Sequence, residues 1–321
     1  MIDYRPFRNS DPPHLARIWN ARPPLPLRLP DLTARLLDES ALARLYFEPA
    51  GLLVAERAGR PVGFCHAGFA PAADGSALDP TRGCISALVI DSSEVGGDTA
   101  TTVAGELLTR CTSYLAERGA QRCWAGGPGP LDPFYLGLYG GSRSDGVLAD
   151  DTEVVTWFRS AGFEEIERRT VWQRALRGYR PPLDRTHMQW QRSATIERRG
   201  TAAAQTWWDA CTLAQHEQFH FRLTLRPPAR RTVELSFWDV QPLADSQGQR
   251  MAGFLGWSGD EACGSDGLLK FLLADALRRL LESGVTLVEA QLAANDSSCS
   301  ALLPSLGFQP VAEKLILVRS L

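Results

Sequence analysis

"FRSAGFEEIERRTVWQR", Phe158 to Arg174, returns near the end of the chain as "LPSLGFQPVAEKLILVR", Leu303 to Arg319. Each copy reads as a helical tail, a Gly-Phe turn and an apolar strand that ends in Arg. Phe163 and Phe308 are 145 positions apart, and so are Arg174 and Arg319. A constant offset of this length marks a duplicated structural unit, and it decides the fold before any single motif does.

Upstream the correspondence continues at a second offset. "GELLTRCTSYLAERGAQRCWAGG" (Gly105–Gly127) matches "KFLLADALRRLLESGVTLVEAQL" (Lys270–Leu292), with Gly119 and Gly284 separated by 165 positions. Each copy is an amphipathic helix with apolar residues at i and i+3/i+4, closed by a Gly and followed by a short strand. The change from 165 to 145 places about 20 extra residues after the strand of the first copy. They fall in "GPGPLDPFYLGLYGGSRSDGV", 127–147, a loop-forming composition of Gly, Pro and aromatics. Its apolar side chains predict a structured lid or wall, with Arg143 as polar anchor, because so many aromatics need a place to bury. The halves also begin alike. "IDYRPF" is a strand before the helix "DPPHLARIWNA", and "GLLVAERAGRPVGFCHAGF" is a hairpin. The second half offers "SATIERR", a helix over "AAAQTWWDACTLAQHEQF", and the strands "RTVELSFWDV" and "RMAGFLGW". "ALRGYRPPLDR" between them reads as the linker.

At 321 residues the chain exceeds one usual core, so two domains are expected. A net charge of −3 offers no footprint for nucleic acid or an anionic membrane. No apolar run reaches membrane-spanning length, and "MIDYRPFRNSD" lacks the apolar core of a signal peptide. The seven cysteines are odd in number and contain no C-x-x-C, which suits reduced thiols in a cytoplasmic protein.

In this order the elements resemble the GNAT (GCN5-related N-acetyltransferase) superfamily, twice. "LLADALRRLLESGVTLVEAQLAAND" with "LPSLGFQPVAE" is similar to that family's central helix, fifth strand and closing helix-turn, and "FRSAGFEEIER" is its twin in the first half. Tandem members such as the mycothiol synthases share the layout. The resemblance implies an α/β (α+β) chain of two tandem GNAT-like acyl-CoA N-acyltransferase domains. Each would hold a mixed, mostly antiparallel sheet flanked by helices. The domains would span 1–178 and 187–321 with a linker at 179–186, packed as the internal pseudo-dimer of a monomer. The halves should share one strand order. It also implies transfer of an acetyl or similar group from acetyl-CoA, as cosubstrate and without a metal, to a small-molecule or peptide amine. The alternative from another class is a catalytically degenerate tandem module that binds a metabolite or a protein partner.

By the same resemblance, the cofactor pyrophosphate belongs on backbone N–H groups at the start of the central helix, where small residues permit close approach. The implied cofactor-binding residues are Val89, Ile90, Gly96, Gly97, Thr99, Ala100, Thr102 and Ala104 in the first half, and Gly264, Ser265, Gly267 and Asn295 in the second. No Arg or Gln precedes either set, whereas the carboxylates Glu94, Asp98, Asp260, Glu261 and Asp266 do, and Asp98 and Asp266 equally suit plain helix caps. The first half is favoured, since Leu268, Leu269 and Lys270 crowd the second helix start. The family's acid, a Tyr five residues before the Gly-Phe aromatic, falls on Phe158 and Leu303, neither of which can give a proton. Tyr135 and Tyr139 are the candidates to replace it, Tyr139 being preferred, and packing is the competing role for both. Glu289 on the second half's fifth strand is the implied general base, against the plainer reading of a solvated face. The acceptor site is implied to lie between the loop "ARPPLPLRLPDL" (Ala21–Leu32) and the insertion. His66 reads as a core residue and His187 as a linker residue. "HEQFH" matches the H-E-x-x-H pattern of zinc proteases, which would make His216, Glu217 and His220 a remote hydrolase alternative if they shared a helix.

Overall fold

The computed structural model describes residues 1–127, 133–140, 142–200, 204–227, 231–240, 249–259, 267–293 and 301–321. By contact the chain forms two compact units that are not contiguous in sequence. Unit 1 is Met1–Arg168, Thr206–Thr212 and Ala312–Leu321; unit 2 is Arg169–Gln205 and Leu213–Val311.

The first half supplies β1 (Ile2–Pro6), α1 (Pro12–Ala21), α2 (Ala34–Leu37), β2 (Leu52–Arg57), β3 (Arg60–Pro71), β4 (Leu78–Ile90), α3 (Ser92–Val95), α4 (Gly97–Glu117), β5 (Arg122–Ala125), β6 (Val147–Leu148), α5 (Thr152–Ser160) and β7 (Glu164–Ala175). After it come α6 (Arg185–Ser193), β8 (Ala194–Arg199), α7 (Trp207–Thr212), β9 (Gln218–Leu225), β10 (Thr232–Asp239), β11 (Met251–Ser258), α8 (Leu268–Glu282), β12 (Leu287–Ala293), α9 (Leu302–Ser305) and β13 (Gln309–Ser320).

In unit 1 the strand order is β1-β2-β3-β4-β5-β13, antiparallel throughout except for the parallel pair β4/β5. In unit 2 it is β8-β9-β10-β11-β12-β7, antiparallel except for β11/β12. The two orders are the same, as the repeat requires. The last place in each sheet is filled by the other half's final strand. Leu317 pairs with Ala125 in unit 1, and Ala175 pairs with Leu287 in unit 2.

The recurring Gly-Phe motif is a helix C-cap. At the end of α5, Gly162 adopts φ +83°, its N–H donates to Arg159 O at 3.0 Å, and Phe163 N donates back to Phe158 O at 3.1 Å. At the end of α9, Gly307 adopts φ +78°, and Phe308 N donates to Leu303 O at 3.1 Å. Only a residue without a Cβ takes the left-handed position readily, and the aromatic that follows is buried. The Arg that closes each motif lands on the partner motif's turn. Arg174 Nη1 donates to Gly307 O at 3.1 Å, and the Arg319 side chain comes within 3.9 Å of where a Gly162 Cβ would stand.

The core of unit 1 lies between α4 and the sheet. Ala100, Val103, Ala104, Leu107, Leu108, Cys111 and Leu115 form one helix face, packed on Cys65, Ala67, Ile85, Leu88 and Ile90. The core of unit 2 repeats this with α8 over β9 to β12. Two features depart from the sequence reading. The helix expected over 202–219 shortens to α7, because the residues from Gln218 onward alternate buried and half-buried as β9. The segment around His187, read as linker, forms helix α6, capped by the Asp184 side chain, which accepts from His187 N at 2.7 Å.

Residues 1–178 on their own lack the strand that covers β5 and carries the buried Leu315, Ile316 and Leu317. That fragment is expected to show no cooperative thermal transition by circular dichroism, with a transition recovered when 179–321 is co-expressed. A sharp melt of the isolated fragment would contradict the exchange of strands.

Candidate active site

One extra residue in β4 creates the site in unit 1. His66 faces Ala87 while its neighbour Ala67 faces Ile85, so Ser86 is a β-bulge. The bulge inverts the side-chain parity: Ile85 before it and Leu88 and Ile90 after it all point into the α4 core. It also bends the strand away from β5. The β4/β5 ladder stops at Ile85↔Ala125, with Gly126 N donating to Ile85 O at 2.8 Å, whereas pairing with β3 runs on to Ile90. Beyond Ile85 the β5-facing edge of β4 therefore has no partner in β5. Unit 2 holds the equivalent bulge: Ser236 faces Gly256 and Phe237 faces Phe254, which leaves Leu255 as the extra residue.

The gap opens into a cleft of about 500 Å³, open space at its mouth included, lined by Ile85–Val89, Gly126, Gly146–Leu148, Asp151, Val154 and Phe158. Arg22, Arg28, Tyr139 and Ser144 complete its wall. Two glycines make the floor possible. Gly126 (φ +76°) and Gly146 (φ +82°) bring the two ends of the insertion together so closely that a Cβ on Gly126 would lie 2.4 Å from Gly146 O. The wall is electrostatically structured. Arg22 pairs with Asp151 at 2.6 Å and with Glu153, and Asp151 also caps α5. Arg28 donates through Nη2 to the carbonyl oxygens of Arg22, at 2.9 Å, and Pro23. Burial holds the Arg28 guanidinium below its usual pKa, Tyr139 and Asp151 opposing that shift and Arg22 adding to it. Sequence reasoning named the loop that carries Arg22 and Arg28 but neither residue, and it missed Asp151 and the Ser86 bulge.

Of the residues implied to hold a cofactor, Val89 lines the cleft and Ile90 lies buried beside it in the core. α4 starts at Gly97 behind Gly96, which caps it at φ +85° with no side-chain acceptor, and a Cβ at either glycine would meet nothing within 4 Å. Asp98 therefore sits in the first turn rather than at the cap. Thr99 and Thr102 are exposed, whereas Ala100 and Ala104 are fully buried against the sheet, so their small size serves helix packing. Asp91 and Glu94 beside this helix start are held by Arg17 at 3.2 Å each, and Glu94 also by Arg60 at 3.3 Å. In unit 2, Gly267 caps α8 in the left-handed conformation, but α6 lies across it. A Cβ on Gly267 would stand 3.0 Å from Thr186 Cγ2, and the His187 ring packs edge-on against Phe271 at 4.6 Å. Gly264, Ser265 and Asn295 lie outside the described residues, as do Asp260, Glu261 and Asp266.

Glu289 does not line this cleft. It belongs to unit 2, on β12, where it is fully buried and accepts a hydrogen bond from Gln173 Nε2 at 2.9 Å. The solvated-face reading is thus corrected: Val288 and Ala290 fill the α8 side of the strand and Glu289 occupies the other, also buried, side. "HEQFH" is not helical. His216 precedes β9 and His220 lies within it, so the two imidazoles do not share a helix face. Their partners differ too, His220 Nδ1 meeting Ser236 Oγ at 2.9 Å and His216 packing on Trp238, while Glu217 pairs with Arg250 at 2.7 Å.

The insertion is packed from Pro133 through Leu138. Phe134 lies against Gly68, where a Cβ would approach the ring to 2.6 Å, and 4.3 Å from the His66 ring; Tyr135 stacks on Trp19. Tyr139 tilts against the same Trp19 at 4.9 Å and is half-exposed at the cleft. His66 is fully buried, as expected of a core residue, with Nδ1 3.0 Å from the Tyr135 hydroxyl. Burial lowers its pKa from 6.5 to about 3. Between those values the unfolded chain takes up a proton that the folded chain refuses, so stability falls as pH drops through that window. From pH 7 to 4.5, wild type is expected to lose about 2–3 kcal/mol more unfolding free energy than His66→Asn. Urea titrations at the two pH values measure this, and parallel losses in both proteins would contradict it.

No protein-family model matches the chain, and neither does any curated protein. Solved structures do. The whole chain superposes on 98% of a tandem GNAT protein from the clavulanic acid biosynthesis pathway, with TM-score 0.61 and 13% identity. It matches 95% of a GCN5-related N-acetyltransferase from Sphaerobacter thermophilus over 99% of its own length, at 0.62 and 12%. It also matches the GCN5-related glucosamine N-acetyltransferase region of a fungal multi-domain GH3 β-N-acetylglucosaminidase over 99% of its length and 38% of that chain, at 0.68 and 14%. At such identities the likeness is one of architecture, and it agrees with two like-ordered sheets and paired bulges: the chain has the tandem GNAT fold.

Proposed function

We propose that the protein transfers an acyl group from an acyl-CoA thioester to an amine, in the cleft of unit 1. The observation that carries this reading is the edge of β4 beyond the Ser86 bulge, which has no strand partner among the described residues, beside a helix start at Gly96-Gly97 that has no side-chain cap. An acyl-CoA would supply the activated acyl carbon. The fit is supported by open space around the two glycines and by first-turn N–H groups of α4 without a side-chain cap, which suit phosphate oxygens. Arg17 and Arg60 offset Asp91 and Glu94 there, whereas Asp98 in the first turn has no ion pair among the described residues.

Within the cleft the chain's own groups divide the work. Backbone N–H groups on the edge of β4 beyond the bulge would polarise a carbonyl oxygen laid along it. Phe158 and Val154 wall the site with apolar surface and keep water from the acyl carbon. The Tyr139 hydroxyl is the proton donor on the wall for the departing thiolate, Phe158 having none to give. Asp151 is held by Arg22, so the amine would shed one proton to solvent before attack. Its nitrogen would shed a second as the tetrahedral intermediate collapses, solvent restoring to Tyr139 the proton it gives the thiolate.

Unit 2 reads as the non-catalytic partner, because α6 covers the start of α8. The other reading, a module whose two sites have both decayed, makes a different forecast. Acetyl-CoA at a hundred times its Kd should stabilise an acyl-CoA-binding protein by about 2.7 kcal/mol. A thermal shift with acetyl-CoA is expected, and it should be lost on Gly97→Glu, which puts a carboxylate at the helix start. Tyr139→Phe is expected to lower kcat about 100-fold with an unchanged melting temperature. An absent shift at millimolar acetyl-CoA would favour the decayed module.

A further inference from the structure

We propose that the acceptor amine carries a carboxylate and that Arg28 binds it. The inference rests on the acyl-transfer reading above and identifies the class of acceptor. Its basis is a contrast between two arginines on one wall. Arg22 is saturated by Asp151 and Glu153. Arg28 is only 9% exposed and, among the described residues, has no carboxylate partner; its Nη2 is used by two backbone carbonyls, and its Nε and Nη1 donate to no described residue.

A guanidinium withdrawn from water without a counter-ion is costly, and a fold keeps one where an anion arrives to answer it. Arg28 is also held in place. Its cation lies 5.8 Å from the centre of the Trp19 ring, its backbone bridges Tyr139, and Leu29 beside it donates N–H to Leu138 O at 2.8 Å and accepts from Trp19 Nε1 at 2.8 Å. The free donors share the cleft with the β4 edge beyond the bulge. The acyl donor's phosphates belong, on the same reading, at the start of α4, which leaves the anion near Arg28 to the acceptor. Charge selects its kind. Arg22, Arg28, Asp151 and Glu153 together sum to no net charge, so the Nε and Nη1 donors of Arg28 suit a singly charged, planar carboxylate better than a phosphate dianion.

The test pairs amines that differ only in that charge: glycine, alanine, serine, phenylalanine and glutamate, each against its α-carboxamide, with acetyl-CoA as donor and thiol release as readout. Wild type is expected to favour the acids by about 10- to 100-fold in kcat/KM, a span typical of a charge-assisted hydrogen bond. Arg28→Gln, which keeps an N–H for the two carbonyls, is expected to abolish the preference through the amine's KM while leaving the KM for acetyl-CoA within about twofold. Arg28→Lys should restore part of it. Equal use of acids and carboxamides by wild type, or a preference that survives in Arg28→Gln, would overturn the inference while leaving acyl transfer standing. Should no amine release thiol, the melting temperature with the same compounds decides. Stabilisation by the acids alone, and only with Arg28 present, supports the carboxylate site, and no stabilisation by either series overturns it. The wild-type comparison needs no variant to fold.

Discussion

Each sheet is completed by a strand from the other half of the chain, and the rest of the architecture depends on that pairing. In unit 1, β13 covers the free edge of β5 and also carries β6, through Lys314↔Leu148 and Leu315↔Val147. Its Leu315, Ile316 and Leu317 are buried, so the exchange supplies core as well as ladder. An uncovered β5 would present a row of unpaired backbone groups at the heart of the site, the kind of edge that promotes association with other chains. In unit 2, Val171 is fully buried on β7, and Arg174 on the same strand satisfies the carbonyl of the Gly307 turn. The sheet and the helix cap of one repeat are thus finished by the strand of the other, which accounts for the conservation of spacing between the Gly-Phe turn and the terminal Arg in both copies.

Two duplicated frames need not keep two sites. Both retain the bulge that parts the fourth strand from the fifth, Ser86 in β4 and Leu255 in β11. They part company at the central helix. With Gly119 and Gly284 aligned as C-terminal caps, α8 begins at the position of Val103, so α4 extends further at its start. The extra turn presents Gly96 and Gly97 to open space, whereas the shorter α8 is met by Thr186 and His187. The buried faces follow the same divergence. α4 buries one stripe; α8 buries Leu268, Leu269 and, beyond the half-buried Lys270, Phe271, Leu272, Leu273 and Ala274, as a helix start enclosed by protein does.

The architecture was legible where a local rule has few solutions. A Gly followed by an aromatic at the end of an apolar periodic segment is a left-handed cap, and two of them at one offset imply two like frames. The insertion's length followed from arithmetic, and its burial from Phe134, Tyr135, Leu136 and Leu138 having no other refuge. The exchange of final strands was not legible, because the apolar pattern of "TVWQR" is the same whichever edge it joins. The helix expected through Phe219 failed for a related reason. Phe219, Phe221 and Leu223 alternate as a strand, but the alternation is masked by the polar run before it. Glu289 was misjudged because a carboxylate in a strand is usually solvated, whereas here it is fully buried and Gln173 on the exchanged β7 donates to it. Arg28 could not be singled out among the chain's many arginines, since what distinguishes it is the want of a counter-ion in space.

The insertion joins these observations. It follows β5 directly, turns at Gly126, packs Phe134 and Tyr135 over the sheet face opposite α4, and returns through Gly146 to β6. On the way it contributes Tyr139 to the cleft and backs Leu29 through Leu138 O, which fixes the segment that bears Arg28. Its return is fastened by β13, where Lys314, fully buried, donates from Nζ to Arg143 O at 2.7 Å. A buried ammonium is retained only where its hydrogen bonds are met, so this contact ties the insertion to the exchanged strand rather than leaving it to pack alone. The wall of the site therefore depends on a strand from the far end of the chain. A change that weakens β13 would act first on the return of the insertion, through Arg143 and β6, and from there on the wall that carries Tyr139.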